Sequence, residues 1–467
     1  MFEKYQADLT ELVKGAWRSA EPGFREFECA KAQTAYLEKM GFSVRKNIAG
    51  TVTGYMAEWG AGKPVFAILG EYDALYGLSQ KADVTVCEPE PGMEMGQGCG
   101  HHLLGVGAIA AGLALRDLMK AKGYAGTVRV YGCPAEESGS GKTYMARDGV
   151  FTDCDAALTW HPSNFHMVNS GSSQSCVQVY FRFKGVASHA AGAPHLGRSA
   201  LDAVELMNVG VNYLREHMED TDRVHYAVSD PGGRSPNVVQ AYAESRYLVR
   251  SETNPKCEKL YERVVDIAKG AALMTGTELE VVFDEGLSNT IPNFTLERVM
   301  AGVFRNLGAP EYTFNEREYA RRFKETFPIE GQLSDLPKTV ADRAALARSI
   351  RESSLCDYFI ETDHSEVCEM GSTDVGDVSW VIPTVTAGVS CYSYGAGSHS
   401  WQWVAQGVSS IAVKGMLHAG RIIALTAEKL LESPEIIENA KRELEERLGG
   451  ETYRSLIPAG VKPHYYD

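Results

Sequence analysis

Gly105–Met119 (GVGAIAAGLALRDLM) is small and apolar on nearly every side, and a helix of that kind is stable only when other elements enclose it. The flanking runs fit that demand. Pro64–Leu69 (PVFAIL) is short and continuously apolar, and Thr127–Tyr131 (TVRVY) is β-branched and aromatic; both are of the buried-strand type. Upstream, Glu26–Met40 places Phe27, Ala30, Leu37 and Met40 on one helical face, with Thr34 in the gap. Strands alternating with helices predict an α/β fold with a mostly parallel sheet and helices on both faces. In such a sheet, functional side chains collect at the carboxyl ends of the strands.

The pattern changes near residue 175. Val177–Phe183 (VQVYFRF) alternates as a half-exposed strand. A helix is predicted over Ser199–Glu216, a strand over Val224–Val228, a long β pattern over Asn237–Arg250, a helix over Lys256–Leu273 and a strand over Glu278–Phe283. That order predicts a ferredoxin-like α+β domain inserted over 175–292, with 1–174 and 293–467 forming the main domain around it. Residues 310–365 are polar and weakly periodic, and no structure is assigned to them. Short strands and glycines return over Val378–Gly397. Helices follow over Ile411–Leu431 and Pro434–Leu448.

Bulk properties exclude some partners. The net charge of −15 opposes association with nucleic acid or an anionic membrane. Met1–Asp8 has no basic stretch leading into an apolar run, and no segment approaches the ~18 apolar residues of a membrane span, so a cytoplasmic protein is expected. The ten cysteines are scattered with no C-x-x-C pair, which reads as reduced thiols rather than a disulfide framework.

Five short segments, most of them directly after strand patterns, carry the reactive side chains: Gly70-Glu71-Tyr72-Asp73, Gly98-Cys99-Gly100-His101-His102, Cys133-Pro134-Ala135-Glu136-Glu137, Trp160-His161-Pro162 and Ser398-His399-Ser400. Thiolate, imidazole and carboxylate are the ligands of zinc, manganese and cobalt. Taken singly, a histidine beside a strand is more often a structural residue, and a lone cysteine a small hydrophobe. Glu136-Glu137 says more: two like charges after an apolar strand are unfavourable unless a solvated turn or something positive compensates them. Two decoys fall away. Ser138–Thr143 (SGSGKT) imitates a phosphate loop, but Glu136 stands where its first glycine belongs. Gly98-x-Gly100 has Leu103 in place of the third glycine of a dinucleotide fingerprint.

Together these residues resemble the M20 family of metallopeptidases and aminoacylases, in the branch with a Cys-x-His metal motif. The likeness extends through Leu69–Gln80 (LGEYDALYGLSQ), Tyr131–Thr143 (YGCPAEESGSGKT), Ala156–Pro162 (AALTWHP), Ala193–Ala203 (APHLGRSALDA), Ser235–Gln240 (SPNVVQ) and Ser372–Trp380 (STDVGDVSW). The resemblance implies a zinc-aminopeptidase-like catalytic domain with an inserted lid that also dimerises, with itself or with a homologous chain. It implies two divalent metal ions, Mn²⁺ first and Zn²⁺ or Co²⁺ as alternatives, held by Cys99, His101, Glu137, His161 and His399. Glu136 would be the general base, and His189 an oxyanion-stabilising residue reaching a neighbouring protomer's site. Asn237 and Arg250 would bind the substrate carboxylate, and Asp73 would support the ligands from behind. Family members outside this branch have a ligand histidine where this chain has Glu71. The residue after His101 is usually Asp or Asn, and His102 there either alters metal preference or points away. The implied reaction is hydrolysis of an N-acyl amino acid, foremost p-aminobenzoyl-glutamate from folate breakdown. Other N-acyl amino acids or dipeptides, auxin-aspartate-type conjugates included, are the alternative, as is a chain active only in a hetero-oligomer. Trp401 and Trp403 face either the substrate's aromatic ring or the core.

Overall fold

The computed structural model describes residues 1–333 and 336–464. Its main sheet has seven strands: β1 (Ser43–Lys46), β2 (Tyr55–Ala61), β3 (Val65–Gly70), β4 (Gly126–Gly132), β5 (Ala156–Ser163), β6 (Met167–Asn169) and β11 (Thr384–Ser390). Their order is β1-β2-β4-β3-β5-β11-β6. The central strands β4, β3, β5 and β11 are mutually parallel, and antiparallel strands close both edges. Every residue of β3 and β4 is buried, which is why those runs lack alternation: helices cover both of their faces.

The enclosed helix runs over His101–Lys122 (α3) and packs against Ser410–Glu432 (α12) and Gln6–Ser19 (α1). By length and composition alone α3 could cross a membrane, contrary to the sequence expectation, but 89% of its most apolar window is buried inside this fold. Its glycines are what permit the depth of burial. A Cβ at Gly107 would lie 2.5 Å from the indole of Trp160, whose Nε1–H donates to the Leu104 carbonyl at 3.1 Å.

A second, wholly antiparallel sheet has the order β8-β9-β7-β10, made of β7 (Ser175–Lys184), β8 (Arg223–Asp230), β9 (Tyr242–Ser251) and β10 (Glu278–Leu287). Helices α5 (Ala200–Leu214) and α6 (Asn254–Thr275) cover one face over a core that includes Val179, Phe181, Met207, Tyr247 and Val264. This is ferredoxin-like topology. The β pattern predicted from Asn237 begins only at Tyr242, because Pro236 and Asn237 form a turn and Val238 bridges to His189 instead.

The segment 310–365, of which Ser334 and Asp335 lie outside the described residues, contains the helices Phe314–Lys324 and Arg343–Glu352. Leu336, Val340, Leu346 and Ile350 form a small core there with Met167 and Tyr394. Short, half-exposed helices explain the segment's weak periodicity. Gly107→Ala is expected to destabilise the protein by about 1–3 kcal/mol through overpacking against Trp160. Urea unfolding would measure it, and an unchanged midpoint would show that the contact has slack.

Candidate metal centre

The reactive segments converge because the parallel strands end at one edge of the sheet. Glu71 and Asp73 follow β3, Glu136 and Glu137 follow β4, His161 lies near the end of β5, and His399 follows β11. His101 is the first residue of α3. The intervening Gly100 has φ +80°, and a Cβ there would come within 2.5 Å of the Tyr392 hydroxyl. Only glycine lets the Cys-x-His turn settle this close to its neighbours. Ala135 and His399 are also held at positive φ, 56° each, although neither is glycine. The Glu26 carboxylate accepts the Ala135 N–H at 2.8 Å, and the His399 N–H donates to the Gly98 carbonyl at 2.8 Å. Such over-determined strain is characteristic of functional loops.

Asp73 is a two-handed support. Its Oδ1 accepts from His101 Nδ1 at 2.7 Å and its Oδ2 accepts the Glu137 N–H at 2.8 Å. A carboxylate only accepts, so one proton of His101 sits on Nδ1, and Nε2 is turned to Glu71 at 3.2 Å. His161 is fixed in the same way, Nδ1 donating to the Pro162 carbonyl at 2.7 Å and Nε2 lying 3.5 Å from Cys99 Sγ. His399 Nε2 is 3.2 Å from Glu137 Oε1. The donor atoms form three overlapping sets: Cys99, His101 and His161; Cys99, Glu137 and His399; and Glu71, His101 and Glu136. Within each set the atoms lie no more than 4.8 Å apart. Glu71 Oε2, His101 Nε2 and Glu137 Oε1 are buried with no hydrogen-bond partner. Buried polar atoms are rarely left so. Converging lone pairs of this kind fit cations, and the mixture of sulfur, nitrogen and oxygen fits transition-metal ions.

The electrostatics divide the adjacent glutamates. Burial, the Glu71 carboxylate and then Glu137 itself push Glu136 well above the usual carboxylate range. Burial also opposes ionisation of Glu137, but neighbouring His399 and His101 outweigh it and bring that carboxyl to about 2. Burial, followed by the charge of Glu137, raises the Cys99 thiol. Burial disfavours charge on His101 too, but Cys99, Asp73 and Glu71 hold a proton on it. Among the described residues Glu136 accepts no hydrogen bond; its Oε2 stands 3.9 Å from His101 Nε2.

Sequence reasoning passed over one group. Lys142, met only within the phosphate-loop decoy, is fully buried and contacts Glu71 Oε1 at 2.6 Å and Asp374 Oδ1 at 2.5 Å. The Lys142 N–H also donates to Asp374 Oδ2 at 2.8 Å. The available signal was that Lys142 is the cation nearest Glu136–Glu137 in the chain. His102 resolves the other way: it turns from the cluster, hydrogen-bonds the Gly407 carbonyl through Nε2 at 2.8 Å, and burial lowers it to about 4.

The centre opens into a cavity of about 780 Å³ lined by Glu71, Cys99, Glu136, Glu137, His161 and His399. The segment 310–365 supplies part of its wall through Leu336, Pro337, Lys338, Thr339 and Arg343. Five expected residues do not line it: His101 and Asp73 are fully buried within the cluster, and three others stand away from it. His189 is exposed on the second sheet's unit, where its Nδ1 accepts the Gly192 N–H at 3.0 Å. Asn237 is exposed in the neighbouring turn. Arg250 reaches only the rim, donating to Ser372 Oγ at 2.8 Å. Trp403 belongs to the core, stacked on Tyr392 with ring centroids 4.0 Å apart, and Trp401 is likewise absent from the cavity wall.

The raised Cys99 and His101 set a sign for metal binding. Both keep protons at neutral pH that a cation must displace, so affinity should rise with pH and protons should be released on binding. Calorimetry with Mn²⁺ or Zn²⁺ in buffers of different ionisation enthalpy would read this directly; binding without proton release would contradict the ligand set.

Comparison with known proteins agrees with this architecture. The model of Peptidase family M20/M25/M40 matches residues 67–402. The chain is 42% identical over 458 residues to one of the subunits of p-aminobenzoyl-glutamate hydrolase from Escherichia coli (strain K12), covering 97% of this chain and 95% of that one. It is 27% identical to Xaa-Arg dipeptidase of Mus musculus, covering 94% and 89%. The crystal structure of a dinuclear metal-binding M20 peptidase from Bacillus subtilis shares the fold, with a TM-score of 0.55 at 18% identity and coverage of 92% and 99%. With a family match spanning most of its length and a relative 42% identical over 97% of it, this chain belongs to the M20 family of peptidases and amidohydrolases.

Proposed function

We propose that this protein is a two-metal amidohydrolase that cleaves p-aminobenzoyl-glutamate to p-aminobenzoate and glutamate. The observation that carries the reading is the ring of unpartnered buried donor atoms around a Glu136 that is itself free of hydrogen bonds among the described residues, in a chain 42% identical over nearly its whole length to part of a hydrolase named for that substrate. Cys99, His101, Glu137, His161 and His399 would hold the ions, Mn²⁺ by preference. Bound there, the ions would supply Lewis acidity toward water and the amide carbonyl. The remaining work falls to the chain. Glu136 accepts the proton of the attacking water and returns it to the departing nitrogen, since an amine anion is too poor a leaving group. Its raised proton affinity suits a group that must take and hold that proton. Asp73 keeps His101 and the Glu137 backbone in register.

The unit over 175–292 acts, on this reading, as a lid and an assembly surface. Leu206, Val209 and Tyr213 are exposed along α5, an apolar stripe of the sort a partner covers. The Escherichia coli relative is named as one part of a multi-chain hydrolase, which supports assembly with a homologous chain, and a homodimer would use the same face. His189 then serves the partner's site, donating to the carbonyl oxygen as it gains charge. Asn237 and Arg250 meet the substrate carboxylate when the lid closes. The peptidase relatives favour a second reading, hydrolysis of other N-acyl amino acids or dipeptides.

The deciding experiment is hydrolysis of p-aminobenzoyl-glutamate, N-acyl amino acids and dipeptides by the purified chain with Mn²⁺, Zn²⁺ or Co²⁺. Activity greatest on p-aminobenzoyl-glutamate supports the proposal. Activity that appears only with an added homologous chain would make this protein a partner rather than a complete enzyme. Glu136→Ala should lower turnover by about 10²-fold or more, the scale of general-base catalysis, while metal content stays unchanged. His189→Ala should lower kcat without loss of metal; wild-type kinetics would remove His189 from the reaction.

A further inference from the structure

We infer that Glu71 is a metal ligand beside His101, clamped in place by Lys142, and that this leaves Glu136 uncoordinated. The inference rests on the two-metal reading above and adds a ligand to it. Glu71 and His101 are both fully buried, and Glu71 Oε2 lies 3.2 Å from His101 Nε2. Both atoms are without a hydrogen-bond partner. Because Asp73 accepts from Nδ1 of His101, Nε2 is turned to Glu71 Oε2, so that two potential ligand atoms face each other. In a dry site that gap takes one small cation, a proton in the free protein or a metal ion in its place.

Lys142 is not that cation. It holds the other oxygen, Oε1, at 2.6 Å and is shared with Asp374. Its effect is to aim Glu71: with Oε1 fixed, Oε2 points into the centre. Glu71, His101 and Glu136 form one of the three compact donor sets. Of its two carboxylates, Glu71 is fixed by an ammonium and Glu136 by nothing among the described residues. A held carboxylate suits ligation and a loose one suits proton transfer, so the set divides into ligand and base.

The test is metal binding rather than activity. Wild type, Glu71→Gln and Glu136→Gln would be stripped, titrated with Mn²⁺ or Co²⁺, and assayed by elemental analysis, calorimetry and the visible spectrum of the Co²⁺ form. Glu71→Gln should bind one ion instead of two, or bind one at least about tenfold more weakly, with an altered Co²⁺ spectrum. Glu136→Gln should keep both ions and the wild-type spectrum. Should Glu71→Gln fail to fold because Lys142 loses a counter-charge, the double variant Glu71→Gln/Lys142→Met, which removes both charges, is read by the same criteria. Wild-type stoichiometry, affinity and spectrum in the Glu71 variants overturn the inference while leaving the two-metal proposal standing. Loss of an ion in Glu136→Gln alone reverses the assignment. A wild-type protein that binds no ion removes the metal reading and this inference together.

Discussion

Negative charge held in a dry place is the constraint around which this molecule is organised. Glu71, Asp73, Glu136, Glu137 and Asp374 gather at the carboxyl edge of the parallel sheet, and Lys142 is the one buried lysine among them. Isolated buried carboxylates are expensive, and ion pairs recover that cost only when the remaining lone pairs are satisfied. Here several are not. The edge of the sheet therefore has the chemistry that cations satisfy, and neighbouring features hold it in shape. Asp73 orients an imidazole, Glu26 pins a strained loop, and glycines let backbone approach the centre closely.

The core of the fold was legible because burial leaves a plain trace. The β3 run and the apolar stretch of α3 read as interior, and strands alternating with helices implied a parallel sheet. The second sheet was legible through its period-two strands. The segment 310–365 was not, since its helices bury only a narrow stripe and their partners, Met167 and Tyr394, lie in other parts of the chain. The five-residue overrun before Tyr242 has a local cause: extended residues such as Val238 and Val239 look like strand, but a turn at Pro236–Asn237 diverts them.

For the centre, residue type and strand-end position singled out the segments that hold Cys99, His101, Glu136, Glu137, His161 and His399, and only the resemblance to a family proposed their roles. Orientation was not readable. His101 and His102 are adjacent and identical in chemistry, yet one joins the donor cluster and the other hydrogen-bonds a carbonyl more than 300 residues away. The tryptophans after His399 pack away from the cavity for the same reason, that direction depends on tertiary neighbours. Lys142 was hidden by a motif that it only imitates, and no sequence sign showed that it would reach Glu71.

The contact between the His399 N–H and the Gly98 carbonyl has a consequence for synthesis. Cys99, His101, Glu137 and His161 all leave the ribosome early, while His399 follows only after the whole second sheet has been made. Between the synthesis of His161 and that of His399 the nascent protein carries an unfinished cluster of thiol, imidazole and carboxylate groups. The order of the chain thus makes completion of this cluster a late event, one that waits until residues far beyond the second sheet have been made.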